Sequence, residues 1–373
     1  MSIDQVPERV RRVIMESGLS QTEFAVKAGL DGPKMSKSLA GVRRFTSLDL
    51  ARIAEVAGVT VDFLLGNRTA PVASAARVTN ASSANAALEQ AQHFARLRED
   101  LTFLGYSQKP LALRDPAVGG TWIEQGARLA AVAVRAVREC GTEPVHTRDL
   151  AGLVETVFGV DVASADLHDG VEGLAWADDA VRLIVVATSQ VPARQRFTIA
   201  HELGHLLAAD DQRIHVDSDI DSAEHRRSPS EIRANAFAAS FLLPEDYLRR
   251  HAPASGDWDQ DTFAELACRL WVSPSTLAWR LFNLDLITRA QRETFRRMGA
   301  ADAAARAGQV GALAEWIGAA SRPAAPQALV RDTYRAYTDG KSTLRPFADL
   351  LGVDTATLRE SLDQVWEETP LTP

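Results

Sequence analysis

The stretch FTIAHELGHLLAAD, Phe197 to Asp210, sets His-Glu-x-x-His inside an apolar, helix-forming run. His201 and His205 are four residues apart, so on a helix they share one face and both imidazoles reach one ion. Glu202 sits beside the first histidine, where a carboxylate can take a proton from an activated water. Phe197, Ala200, Leu203 and Leu207 supply an apolar stripe that would bury the opposite face. Gly204 permits a close approach at the site. The spacing admits a zinc-binding helix with Glu202 as base, or two ordinary helix histidines with a glutamate between them.

Zinc in a catalytic site needs a third protein ligand and one open position. Asp211 stands ten residues after His201, where one group of zinc proteases places its third ligand after a glycine turn. The residue at that glycine position here is Ala208, which leaves the turn unsupported. A better source is SPSEIRANAFAASFLLPEDYL, residues 228–248. Glu231 opens a second helix there, Asn235 falls one turn later on the same face, and Ala234, Phe237 and Phe241 point to a core. Ser228-Pro229-Ser230-Glu231 also reads as a capping box, which would occupy the Glu231 carboxylate with backbone N–H groups.

Outward from this segment, VRLIVVAT, Val181 to Thr188, is short, apolar and β-branched, and predicts an edge-type strand directly ahead of the metal-site helix. WIEQGARLAAVAVRAVREC predicts an amphipathic helix with Leu129, Val132, Ala136 and Val137 on its buried side. TRDLAGLVETVFGVDV predicts another. At 373 residues the chain has room for two or three domains. Four are drawn: a head at 1–68, a linker at 69–87 rich in Ala, Ser, Thr and Asn, a zinc domain at 88–290, and a helical region at 291–373. The expected fold class is mostly α with a small β-sheet. No run approaches the apolar length of a membrane span, and the start MSIDQVPERV lacks a signal-peptide pattern. Cys140 and Cys268 have no metal-type spacing and read as reduced thiols. A cytoplasmic protein without a membrane partner is expected. The net charge of −8 argues against a chain coated in nucleic acid, but leaves room for a small basic reading head.

Such a head is legible in GLSQTEFAVKAGLDGPKMSKSLAGVRRF, residues 18–45. Ser20 caps a helix with Glu23 at its third position, Ala28-Gly29-Leu30 turns the chain, and Asp31 caps a second helix with Pro33 in its first turn. This segment resembles the phage-repressor-type (XRE/Cro-C1) helix-turn-helix domain over residues 6–66. The resemblance implies a homodimer on a double-stranded DNA operator, with the second helix in the major groove. The implied DNA contacts are Gln21, Lys34, Lys37, Ser38, Arg43 and Arg44. Gly32-Pro33-Lys34 departs from the small polar residues usual in that family.

RQRFTIAHELGHLL together with EIRANAFAASFLLP resembles the ImmA/IrrE family of metallopeptidases over roughly residues 120–290. The resemblance implies that His201, His205 and Glu231 bind Zn2+ and that Glu202 is the general base. A head of one family joined to a domain of the other implies a stress-response-type transcriptional regulator. It would act by cleaving a repressor-type protein, or itself. The alternative class is a non-proteolytic transcription factor whose metallopeptidase-like domain senses a small molecule or partner.

Overall fold

The computed structural model describes residues 6–17, 19–57, 64, 81–109, 119–167, 171–178, 180–210, 215–218, 228–253 and 258–367. The chain divides into two compact units, Met1–Ala75 and Ala76–Pro373.

Among its described residues the first unit has four helices, α1 (Val6–Glu16), α2 (Gln21–Lys27), α3 (Gly32–Leu39) and α4 (Ser47–Ala57). Val10, Phe24, Met35 and Ile53 are buried together and hold the helices around one small core. The Ser20 side chain accepts from the Glu23 N–H, and the Glu23 carboxylate accepts from the Ser20 N–H, so α2 opens with the expected capping box. Gly29 has a φ of 61°, which turns the chain after α2 without a Cβ clash. Asp31 occupies the N-cap of α3, but its side chain makes no cap bond. Pro33 alone supplies the helix-start signal there.

The second unit is mostly helical around a four-stranded sheet, as the sequence leads one to expect. Its elements begin with α5 (Ala81–Phe103), α6 (Trp122–Glu139) and α7 (Leu150–Phe158), followed by β1 (Asp161–Ala165), β2 (Val171–Ala177) and β3 (Arg182–Ala187). Next come α8 (Pro192–Leu207), β4 (His215–Ser218), α9 (Pro229–Leu242), α10 (Glu245–His251), α11 (Gln260–Arg269) and α12 (Pro274–Asn283). The chain then runs through α13 (Arg289–Phe295), α14 (Ala300–Arg306), α15 (Val310–Ala320), α16 (Gln327–Thr338), α17 (Arg345–Leu351) and α18 (Thr355–Glu367). The sheet order is β1-β3-β2-β4, with β1 parallel to β3 and the other pairs antiparallel.

Strand alternation explains the layering. Ile184 and Val186 of β3 enter one apolar cluster with α6, α7, α8 and α9. Leu183 and Val185, on the opposite face, enter another with α5 and α16. Both faces of β3 are therefore covered. This corrects the expected edge-type strand: β3 is interior, and the strand at the outer end beside β2 is β4.

Other boundaries also shift. The helical pattern resumes at Ala81, so the last part of the expected linker at 69–87 is helix, while residues 69–80 lie outside the described residues. The buried stripe of α6 is Leu129, Ala130, Ala133, Val134 and Val137, while Val132 and Ala136 stay partly exposed. In TRDLAGLVETVFGVDV only Leu150–Phe158 is helical. Gly159 ends it at a φ of 62°, and Asp161 begins a strand. The region 291–373 belongs to the same compact unit as the sheet. Buried Arg98 of α5 ties it in, donating to Asp161 of β1 at 2.7 and 2.8 Å and to Asp332 of α16 at 2.8 Å.

Candidate metal centre

Two helices build the site. On α8, His201 and His205 are buried on one face, as their spacing requires. On α9, Glu231 lies in the first turn and points at both. Glu231 Oε2 is 3.2 Å from His201 Nε2, Glu231 Oε1 is 3.2 Å from His205 Nε2, and the two Nε2 atoms are 3.1 Å apart. Among the described residues this is the one cluster of three His, Cys, Asp or Glu side chains that could hold a metal ion.

The outer nitrogens define the chemistry of the inner ones. His201 Nδ1 donates to Asn235 Oδ1 at 3.1 Å, and His205 Nδ1 donates to Asp210 Oδ2 at 2.9 Å. A neutral imidazole protonated at Nδ1 carries its lone pair on Nε2. Two such lone pairs and a carboxylate converge in a buried space. Burial alone would raise the Glu231 pKa, but His201 and His205, when protonated, donate to the carboxylate and hold it well below the usual carboxylate range. Ligands about 2.0–2.1 Å from a tetrahedral zinc lie roughly 3.3 Å from one another, close to the spacings of this donor set. The residues fit the ion.

Ser228 stands at the N-cap of α9 without a side-chain cap bond, and its hydroxyl instead meets Ser230 at 2.8 Å. The Glu231 carboxylate thus faces the imidazoles, and the capping-box reading of this turn does not describe it. Asp211, the other candidate ligand, lies outside the described residues.

Close packing sets the distance between the helices. A Cβ on Gly204 would sit 2.9 Å from Phe237 Cδ1, so this glycine serves the contact between α8 and α9. On the far side of α9, a Cβ on Gly126 of α6 would lie 2.3 Å from the Arg233 carbonyl oxygen. Glu202 is fully buried and faces β2, where a Cβ on Gly173 would meet Thr198 at 2.7 Å and Glu202 Oε1 at 3.3 Å. The register of β2 against β4 shifts between Val171 and Gly173, so the strand is irregular beside this carboxylate.

Sequence reasoning missed several contributors. Asp210, at the end of the histidine-bearing segment, orients His205 and pairs with Arg233 of α9. Ala209, at a φ of 49°, turns the chain that delivers it. The E-x-R-x-N spacing of Glu231, Arg233 and Asn235 was the available signal. Gly173, far away in sequence, gave none. Tyr247 of α10 is buried in the core with its ring stacked on His251 at 3.9 Å.

In the first unit, Lys34, Lys37 and Arg44 are exposed, and Gln21 donates to the Ser36 hydroxyl at 2.8 Å on the exposed side of α2 and α3. One expected contact needs correction. Ser38 is fully buried, and its hydroxyl accepts from Arg43 at 3.1 Å. Arg43 also pairs with Asp49 at 2.8 Å and keeps part of its side chain exposed. This pair fastens the loop between α3 and α4.

Comparison with known proteins agrees with the geometry of the second unit. Residues 155–282 match the Peptidase_M78 family model, described as an IrrE N-terminal-like domain, and span the helices that carry all three donors. The chain is 32% identical over 139 residues to the radiation response metalloprotease IrrE of Deinococcus radiodurans, covering 36% of this chain and 40% of that protein. It is 30% identical over 143 residues to the protein of the same name from Deinococcus deserti, covering 33% of this chain and 49% of that protein. The chain thus spans less than half the length of either relative. No described helix is long and apolar enough to cross a membrane.

Proposed function

We propose that this protein is a zinc-dependent endopeptidase joined to a DNA-binding head, and that it controls gene expression by cleaving a repressor-type protein or itself. The observation that carries the reading is the convergence of His201 Nε2, His205 Nε2 and Glu231 in a buried space beside Glu202. The likeness to proteins named as metalloproteases supports it.

His201, His205 and Glu231 would hold the ion, with Asn235 and Asp210 fixing the two rings. Zinc, when bound, supplies Lewis acidity toward a peptide carbonyl and lowers the pKa of water. The Glu202 carboxylate takes the proton of the attacking water as the new C–O bond forms. It then delivers that proton to the departing amine as the C–N bond breaks. The apolar packing around α8 keeps bulk water from this carboxylate and strengthens its interactions. An extended substrate backbone would pair along the outer strand β4.

The head would bind an operator as a dimer through α3, with Lys34, Lys37 and Arg44 on phosphates and Gln21 at the start of α2. The segment 69–80 is a self-cleavage candidate on composition, since proteolysis favours small polar stretches.

Elemental analysis of full-length protein purified without chelator tests the metal reading. About one zinc per chain is expected, with clear loss in Glu231→Ala. No metal after zinc is offered would overturn it. Incubation with zinc, followed by intact-mass measurement, tests self-cleavage. Fragments from the parent and none from Glu202→Gln are expected. Identical intact masses would restrict the reading to a separate protein substrate.

A further inference from the structure

Helix α11 ends in an unusual way. The Trp271 N–H donates to the Cys268 carbonyl at 3.2 Å and the Val272 N–H to the Ala267 carbonyl at 3.3 Å. This pattern demands a left-handed residue, usually glycine. The same demand is met by Gly29, Gly159 and Gly352 after α2, α7 and α17, and by Ala209 and Asp285 after α8 and α12. Here Trp271 adopts a φ of 55°, which a bulky side chain does at a cost. The indole carries the Arg148 guanidinium over its ring, 5.6 Å from the centroid.

The Trp271 ring meets Trp316 of α15 edge-on, at 5.3 Å between centroids and 78° between planes. The two indoles wall a crevice of about 270 Å³ between α11, α14, α15 and the first turn of α8. Alanines, among them Ala267, Ala304 and Ala312, leave the space that larger side chains would fill. No charged side chain lines it, and Gln190 and Gln309 are the amides at its exposed rim. Pro192, nine residues before His201 on the same helix, forms part of the wall.

We infer that this crevice is a binding site for a neutral, flat aromatic molecule with at most one or two hydrogen-bonding groups. Two indoles in edge contact along one wall offer a ring further offset and edge contacts. An uncharged lining excludes ions, which would lose hydration without a partner. The volume matches two or three rings. The site gives the region 300–320 a role that the metal centre does not explain, and it holds whether or not the metal centre is a protease.

The test is fluorescence titration of the full-length protein with N-phenyl-1-naphthylamine, whose emission rises when it leaves water. Saturable binding at one site per chain is expected. Ala312→Trp, which fills the crevice, and Trp271→Gly, which removes one wall, are each expected to weaken binding by roughly tenfold or more. Trp271→Gly should melt within a few degrees of the parent, because glycine relieves the left-handed backbone. Absence of saturable binding to the parent, or parental affinity in both variants, would overturn the proposal. So would a Trp271→Gly protein that melts far below the parent, since the indole would then be a packing element.

Discussion

The metal centre and the candidate DNA-reading face of the first unit are built on opposite principles. At the metal centre His201, Glu202, His205 and Glu231 are buried, and both rings are held from behind: Asn235 on His201, Asp210 on His205, Arg233 on Asp210. On the first unit, Lys34, Lys37 and Arg44 stand in solvent. A buried donor set is defined by the protein that encloses it, because leaving such groups unmatched costs several kcal/mol. An exposed basic face is defined by its partner, since screened surface charges interact weakly until a polyanion arrives.

The comparison breaks most sharply at His205. Its replacement by alanine is expected to reduce retained zinc from about one per chain to near none and to end peptide cleavage, as elemental analysis and a cleavage assay would show. Retention of the ion in His205→Ala would mean that the enclosure does not depend on its donors. Next in size is Gly126→Val, which pushes a side chain into the Arg233 carbonyl behind the site. A loss of about 3 kcal/mol is expected from the urea midpoint, with weakened zinc binding because α9 carries Glu231. Parental stability there would show that the spacing of α6 and α9 is slack.

Asp210→Asn keeps the shape and removes the charge behind His205. Zinc affinity is expected to fall roughly 10–100-fold in competition with a fluorescent chelator, with the fold intact by circular dichroism. On the exposed face, Lys34→Ala with Lys37→Ala should weaken DNA binding by a similar factor across sequences. The slope of log affinity against log salt should flatten by about 2. Ser38→Ala sharpens the contrast at the small end. It removes a buried acceptor of Arg43, so it should cost about 1 kcal/mol of stability and leave the salt slope unchanged. A changed slope would return Ser38 to the contact surface.

The interior of the second unit could be read in advance where periodicity encodes burial. The four-residue spacing of His201 and His205 places both on one helical face in any environment, and the run from Ala234 to Phe241 announces the packed side of α9. The capping box of Ser20 and Glu23 is equally local. Errors arose where the outcome depended on a distant partner. Asp31 looked like a cap and makes no cap bond. Ser38 looked exposed and is buried. The strand 182–187 looked like an edge and lies between β1 and β2.

The sequence by itself determined the helix-bearing pair of imidazoles, the adjacent carboxylate and the segment that supplies the third donor, because these rest on chemistry and helical pitch. Only the tertiary structure decided that Glu231 turns toward the imidazoles, that Asp210 and Asn235 hold their outer nitrogens, and that Gly173 of β2 makes room for Glu202. It alone joined the region beyond 290 to the sheet and opened a crevice at Trp271. Those features follow from contacts between residues far apart in the chain, and local spacing carries no record of which distant surfaces will meet.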